Sequence, residues 1–360
     1  MADHYIYNHG RKKRKSPIKR FFRLVLLCLF IAVGVLAYLA YQALYNPNTW
    51  VNEEKGKSVF IPGGSDFEDV KTILYEHGII IHRKNFEWVA KQKKYALSVK
   101  PGHYVIKGNM NNNELINLLR AGIQVPVKLV FNNIRTLPEL AGRISKQIEA
   151  DSTSIIQLLN DSLKMLEYGF TKEALPAMFI PNTYEFYWNT DAEQFVKRMN
   201  KEYQRFWNDQ RKARLEEIGM TQNEVVTLAS IVEKESNKND EKSRIAGVYI
   251  NRIKRGWRLQ ADPTAVFAAG DFSIKRVLNI HKEIDSPYNT YMHTGLPPGP
   301  ICLPDVSSIN AVLNFEDHKY MYFCARDDFS GYHDFARTYV EHNINAARYR
   351  RALNKMNIYK

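Results

Sequence analysis

The chain has few residues of the kinds that hold metals or form disulfide bridges. Its 360 residues include three cysteines and ten histidines, and these do not recur at the close spacing of a metal site. We therefore expect neither a metal ion nor a cofactor. Cys28 lies in an apolar run, which leaves Cys302 and Cys324 as either a disulfide or two buried thiols.

The sequence also lacks low-complexity repeats and a tract rich in Pro and Gly, so most of it is expected to fold. Its net charge is +13, but residues 1–23 contain eight Lys and Arg and one Asp, which places +7 there and +6 in the remaining 337 residues. No helix-turn-helix or RNA-binding aromatic motif accompanies this charge. The distribution predicts no nucleic-acid partner and a mildly basic body suited to an anionic polymer or a lipid surface.

One long apolar run, residues 24–45, contains no charged residue. As a helix it spans roughly 33 Å, close to the ~30 Å hydrocarbon core of a bilayer. It is longer than the apolar part of a cleaved signal peptide, and no cleavage site follows it. A buried helix of a soluble domain is the alternative. The basic residues before the run predict a cytoplasmic N-terminus and a body outside the cytoplasm, with membrane lipid as one partner.

Two segments after the apolar run alternate a short strand, a turn and an amphipathic helix. They are residues 59–80 and residues 102–123, where Asn111 to Asn113 offer helix caps. A weaker third copy covers residues 127–148, and the three together predict a small α+β module. Such units are common scaffolding. The first two also resemble the LysM-like glycan-binding region of some cell-wall enzymes, with His103 and Tyr104 as weak contact candidates.

An aromatic-rich segment lies between residues 179 and 188. A wall that stacks on sugar rings is one interpretation, but aromatic clusters more often form core. The residues concerned are Phe179, Tyr184, Phe186, Tyr187 and Trp188.

A helix predicted to begin after Thr221 ends in two glutamates. Thr221 and Glu224 have the spacing of a capping box, and apolar residues then recur at intervals of three and four. Glu235 follows Val232 at that interval, whereas Glu233 lies on nearly the opposite side of the helix. A desolvated carboxyl group has a raised pKa, as general acid chemistry needs. Periodicity favours Glu235 only slightly, and a glutamate on the surface near a helix end is the ordinary alternative.

Three segments make the chain resemble the endolytic murein transglycosylases, or YceG-like proteins, from about residue 59 onward. They are LASIVEKES, NRIKRGWRLQADPT and SPYNTYMHTGLPPGPI, in the order found in that family. The resemblance implies that Glu235 is catalytic and that Ser236 is the hydroxyl residue that follows it. It also implies a reaction with one carboxyl group, which protonates the oxygen between N-acetylmuramic acid (MurNAc) and N-acetylglucosamine (GlcNAc). The same group then assists attack by the muramic 6-hydroxyl, giving a 1,6-anhydro end.

The matched segments supply candidate substrate-binding residues, each with a structural alternative. Asp262 and Pro263 also suit a turn or a helix cap, and the loop rich in Pro and Gly after Tyr291 also suits a rigid connection. Asn182 stands where the family usually has Asp, which weakens any role for a carboxylate there. The candidates are Ser236, Asn251, Arg252, Gln260, Asp262, Thr264, Tyr288, Asn289, Thr290 and Tyr291.

The predicted fold class is α+β, with one transmembrane helix, a LysM-like module and a mixed α/β catalytic domain. The predicted function is endolytic lysis of nascent peptidoglycan strands at the cell membrane, with the synthesis machinery as further partners. A noncatalytic peptidoglycan-binding protein and a hydrolytic muramidase are the alternatives. The predicted segments are a basic tail (1–23), the transmembrane helix (24–45), a linker (46–57), the LysM-like module (58–123), a connecting region (124–220), the catalytic core (221–348) and a basic tail (349–360).

Overall fold

The computed structural model describes residues 17–356, which form two compact units, one up to Val125 and one from Pro126 onward. The helices are α1 (Pro17–Tyr45), α2 (Phe67–Glu76), α3 (Arg83–Gln92), α4 (Asn112–Ala121), α5 (Leu137–Ile144), α6 (Ser152–Leu159), α7 (Ser162–Glu167), α8 (Ala192–Phe206), α9 (Asp209–Ile218), α10 (Gln222–Glu235), α11 (Asn239–Lys254), α12 (Asp262–Ala269), α13 (Asn279–Lys282), α14 (Val306–Leu313) and α15 (Tyr339–Lys355). The strands are β1 (Lys57–Ile61), β2 (Gly102–Ile106), β3 (Val127–Phe131), β4 (Asn182–Phe186), β5 (Tyr322–Ala325) and β6 (His333–Ala336). Within the described residues the strands pair as three two-stranded antiparallel sheets, so the α+β class is confirmed.

Helix α1 contains the apolar run and begins seven residues before it, at Pro17. Proline is favoured in the first turn of a helix because its missing N–H would have no partner there. Residues Ile18–Tyr45 are long and apolar enough to cross a membrane, and the most apolar window is not buried in the protein. The helix is therefore consistent with a membrane anchor. The first sixteen residues of the predicted basic tail lie outside the described residues.

The first unit packs α2, α3 and α4 against the antiparallel pair of β1 and β2, between which α2 and α3 lie in the sequence. Both helix starts predicted from sequence have capping boxes, at Asp66 with Asp69 and at Asn111 with Glu114. The predicted linker, residues 46–57, packs against the first unit. Asn48 and Thr49 are buried, and the Asn48 side chain donates a 2.7 Å hydrogen bond to the Asn112 side chain.

The two weak glycan-contact candidates of the first unit lie in or against its interior. Tyr104 is fully buried, and His103 bonds to the Val125 carbonyl and the Ser58 hydroxyl. Neither ring is displayed to solvent, so neither supports glycan binding. The LysM-like interpretation of the unit stays a prediction.

The third strand–turn–helix segment does not join the first two in one module. Strand β3 pairs with β4 in the second unit, with Val127 opposite Phe186. Local sequence predicts that β3 is a strand. Which strand it pairs with depends on side chains distant in sequence, so the local pattern did not predict the pairing with β4. The aromatic segment that forms β4 contributes Phe179, Tyr184 and Phe186 to the core, while Tyr187 remains exposed.

The second unit has one hydrophobic core, which extends from Leu129 to Leu313 and so includes residues on both sides of the predicted boundary at 221. Helix α10 lies within it and packs against α11, α12 and α14. The hairpin of β5 and β6 packs on α15, which runs without a break across residue 349, where a tail was predicted to begin. Residues 357–360 of that tail lie outside the described residues.

Candidate active site at the end of helix α10

Helix α10 presents Glu235 as its last residue. The helix starts at the predicted capping box, where the Thr221 hydroxyl accepts a hydrogen bond from the Glu224 N–H and the Glu224 carboxylate bonds to Thr221. Residues 225–232 are all buried, which fixes the rotation and position of the helix in the core. Glu235 lies just beyond this buried segment and is half-buried.

The carboxyl group of Glu235 accepts a 2.6 Å hydrogen bond from the hydroxyl of Tyr249, a buried residue of α11. Burial is the largest influence on this carboxyl group and raises the pKa of Glu235 to about 7. The Tyr249 bond acts in the opposite direction because it stabilises the ionised form. The negative charge of Asp262 raises the pKa further, and the positive charge of Arg252 lowers it.

Glu233, the other glutamate at this helix end, has a different environment. Its carboxylate accepts a 2.9 Å bond from the ammonium group of Lys242 and another bond from the Ser308 hydroxyl. Lys242 is only 3% exposed, so this pair holds α10 to α11 and α14. Glu233 is therefore held in an ion pair, whereas Glu235 lies at a cavity.

Two cavities meet at Glu235 and Asp262, which line both. The larger has a volume of about 860 Å³ and is bounded by α12, the segment after it and the last turns of α15. The smaller has a volume of about 470 Å³ and is bounded by α11, the hairpin of β5 and β6 and the start of α15. A polymer that passes through both would lie across the Glu235 carboxyl group.

Four of the ten predicted binding residues line the smaller cavity, namely Arg252, Gln260, Asp262 and Tyr291. Asp262 is the first residue of α12 and caps no backbone N–H with its side chain; instead it accepts a hydrogen bond from the Tyr291 hydroxyl. The Arg252 guanidinium is largely buried and donates to the carbonyl groups of Met321 and Leu259. Gln260 is exposed and has a φ of +48°.

The other six predicted residues lie around the site without lining either cavity. Thr264 and Thr290 are buried and their hydroxyl groups are 2.8 Å apart, which ties α12 to the segment after α13. The Asn289 side chain is fully buried and donates to three carbonyl groups, those of His281, Lys282 and Ile284.

The remaining three have similar local contacts. The Asn251 amide donates to the carbonyl groups of His318 and Tyr320, and the Ser236 hydroxyl accepts from the Lys238 N–H. Tyr288 packs its ring on Phe267, with ring centroids 4.7 Å apart. These contacts shape the walls of the cavities.

Sequence reasoning missed several residues of the smaller cavity. Tyr249 lies two positions before Asn251, where the segment NRIKRGWRLQADPT begins, and nothing in the helical pattern distinguishes it from a core tyrosine. Tyr322 and His342 stack with ring centroids 5.3 Å apart, and both line the cavity, as do Lys282 and Tyr339. Burial is the main reason that the pKa of His342 is lowered.

Across the described part of the chain, no cluster of three or more His, Cys, Asp and Glu side chains is placed to hold a metal ion. Cys302 and Cys324 are free thiols, which resolves the alternative left open by sequence. Cys302 is buried with its sulfur 3.5 Å from the Ser230 carbonyl, and burial raises the pKa of its thiol to about 12.

Comparison with known proteins places the chain in a family. The endolytic murein transglycosylase of Bacillus subtilis is 30% identical over 81% of this chain and 84% of its own length. That of Streptococcus pneumoniae is 28% identical over 91% of this chain, which spans 64% of the longer pneumococcal protein. The crystal structure of a YceG-like protein from Listeria monocytogenes superposes with a TM-score of 0.55 at 30% identity, covering 81% of this chain and 99% of that one. A model of the YceG-like family matches residues 59–348, and the chain therefore belongs to the YceG-like family.

Proposed function

We propose that this protein is an endolytic lytic transglycosylase, a lyase that cleaves the β-1,4 bond between MurNAc and GlcNAc in peptidoglycan strands. The observation that carries the proposal is the Glu235 carboxyl group, with a pKa near 7, at the junction of two cavities. The names of the relatives from Bacillus and Streptococcus support the same activity. Cavities on both sides of Glu235 suit a cut within a strand, because sugar residues on either side of the bond find a binding surface.

Glu235 acts first as a general acid. A glycosidic oxygen is a poor leaving group unless it is protonated as the bond breaks. Because its pKa is raised to about 7, Glu235 can still supply a proton near neutral pH. An ordinary glutamate, with a pKa near 4.5, is almost fully ionised at this pH.

Glu235 then acts as a general base. After donating its proton it is a carboxylate, and it accepts the proton of the muramic 6-hydroxyl as that oxygen attacks C1 of the same sugar. The intramolecular attack closes the 1,6-anhydro ring and needs no second carboxylate to activate water. Tyr249 holds the carboxyl group in place and stabilises its charged form between the two steps.

We assign substrate contact to the predicted residues that line the smaller cavity. Gln260, Asp262 and Tyr291 offer polar groups to the sugar, and Arg252 supports the wall behind them. The other predicted residues, Ser236, Asn251, Thr264, Tyr288, Asn289 and Thr290, act through the position of these walls.

We place the active unit outside the cytoplasm, tethered by α1. The basic residues that precede the apolar part of this helix favour a cytoplasmic N-terminus. A tethered enzyme reaches strands close to the membrane, so nascent peptidoglycan is the expected substrate and the synthesis machinery the expected partner. An alkaline phosphatase fused after Tyr45 should be active, and an inactive fusion contradicts this orientation.

Fragment analysis tests the activity. The detergent-solubilised parent should release fragments with 1,6-anhydroMurNAc ends, and Glu235→Gln should release them at least about a hundredfold more slowly because it holds no transferable proton. Glu283→Gln is a matched control, since this exposed glutamate lines neither cavity. Equal rates for Glu235→Gln and the parent refute the assignment, and a parent that binds strands without cutting them indicates the noncatalytic alternative.

A hydrolytic muramidase is the second candidate, favoured by the presence of Asp262 in the same cavities as Glu235. Such an enzyme uses a second carboxylate with water. Mass spectrometry separates the two reactions, because each hydrolytic cut adds one water molecule and each lyase cut adds none.

A further inference from the structure

The larger of the two cavities has an uneven charge distribution. Five cationic side chains line it, against the carboxyl groups of Glu235 and Asp262 that it shares with the smaller cavity. Between the cations lie apolar side chains, including Val266, Phe267 and Ile274. The five cations are Arg135, Lys234, Lys275, Arg276 and Arg350.

None of these five side chains takes part in an ion pair with another described residue. Arg135 is half-buried with its guanidinium 4.8 Å from the centre of the Phe272 ring, and the Lys234 ammonium donates to the Asn133 side chain at 2.8 Å. Both cations are thus held in place by neutral partners. Their charges remain available to an anion that enters the cavity.

Part of this wall lies beyond the residues matched by the family model, which end at 348. Tyr349, Arg350, Leu353 and Asn354 of α15 face the cavity. The hairpin of β5 and β6 supports this helix. The wall is therefore an ordered part of the fold.

We propose that the larger cavity binds the carboxylate-bearing peptide stem of a muramoyl residue next to the scissile bond, and so selects strands that still carry their stems. This inference rests on the proposed function. A strand stripped of its stems keeps one lactyl carboxylate on each muramoyl residue, whereas an intact stem brings several carboxylates. Unpaired cations at a cavity wall favour such a ligand by charge complementarity. The apolar side chains between the cations suit the methyl groups of the alanine residues in a stem.

The smaller cavity provides the contrast. Among the described residues, only two Lys and Arg side chains line it, Arg252 and Lys282, against five in the larger cavity, while Glu235 and Asp262 line both. Its wall contains several aromatic side chains instead, which suit the faces of sugar rings. The asymmetry orients the strand, with the stem on the side of α12 and α15.

The test compares two substrates for the detergent-solubilised full chain. Both are lipid-free glycan strands, one with stems and one stripped of them by an amidase, so that no lipid pyrophosphate contributes. The parent should show a higher kcat/KM on strands with stems, and the preference should shrink as salt is raised. In Arg276→Gln/Arg350→Gln the ratio of the two kcat/KM values should fall about tenfold, mainly through KM, since each partly exposed pair contributes up to about fivefold.

Lys146→Gln/Lys212→Gln is the matched control, because it removes the same charge from two exposed lysines that line neither cavity. It should leave the ratio unchanged, while Arg135→Gln should lower it. Equal activity of the parent on both substrates overturns the inference and leaves the proposed function intact. An Arg276→Gln/Arg350→Gln enzyme that loses activity equally on strands with and without stems also overturns the inference and leaves the proposed function intact. A parent that cuts neither substrate overturns the proposed function itself.

Discussion

Replacing Glu235 by glutamine should stabilise the protein, and by an amount that grows with pH. Glutamine keeps the shape of the side chain and an oxygen that accepts the Tyr249 hydrogen bond, but it cannot ionise. In the native parent the pKa of Glu235 is about 7, against an ordinary value of 4.5. The folded chain therefore keeps this proton at pH values where the unfolded chain has lost it. The contribution of this group to the free energy of unfolding is fully present below about pH 4.5 and is lost as the pH rises through 7.

The difference between the two pKa values corresponds to about 3 kcal/mol at most. Glu235→Gln should therefore raise the free energy of unfolding by less than about 1 kcal/mol at pH 5 and by about 3 kcal/mol at pH 8. Denaturant unfolding of the detergent-solubilised parent and variant at both pH values measures this. A variant no more stable than the parent at pH 8 would show that the carboxyl group is hydrated in the native state, and the argument for an acid catalyst would fail.

Glu233→Gln is the informative control because it makes the same chemical change two residues away. It removes the charge partner of Lys242, which is 3% exposed. An unpaired buried ammonium costs about 3 kcal/mol, so this variant should be less stable than the parent. Opposite signs for the two variants separate the roles of the two glutamates.

Three further variants test the surroundings of Glu235. Tyr249→Phe removes a donor that favours the ionised carboxylate, so the alkaline limb of the kcat/KM profile should move to higher pH and the rate should fall about tenfold; an unmoved limb contradicts the assigned bond. Asp262→Asn removes a negative charge that raises the pKa of Glu235, so the same limb should move to lower pH; a limb that does not move contradicts this charge effect. Asn289→Ala leaves three carbonyl groups without their buried donor and should lower the free energy of unfolding by about 2 kcal/mol in denaturant titrations, whereas a neutral effect would show that water replaces the amide.

Local patterns predicted helix α10, which carries Glu235, and the first two strand–turn–helix units. The capping box at Thr221, the cap at Asn111 and the apolar spacing of α10 all depend on residues within one or two turns of each other, and the structure contains each of them. The long apolar run is likewise a local property, and it forms one helix.

Local patterns did not predict contacts between residues distant in sequence. The partner of β3 is β4, more than fifty residues later, and no local signal identified it. The same holds for Tyr249: its position in α11 resembles that of any core tyrosine until α10 packs beside it. The last turns of α15 fall within the basic C-terminal tail predicted from residue 349, and only the folded chain shows that they line the larger cavity.

The sequence alone determined where α4 and α10 begin, which run can enter a bilayer and, by its resemblance to a family, which glutamate to consider. Tertiary structure decided which glutamate forms an ion pair and which lies beside a cavity with a raised pKa. The physical reason is that caps and apolar periodicity arise from neighbours in the chain. Desolvation and charge pairing depend on residues that only the folded chain brings together.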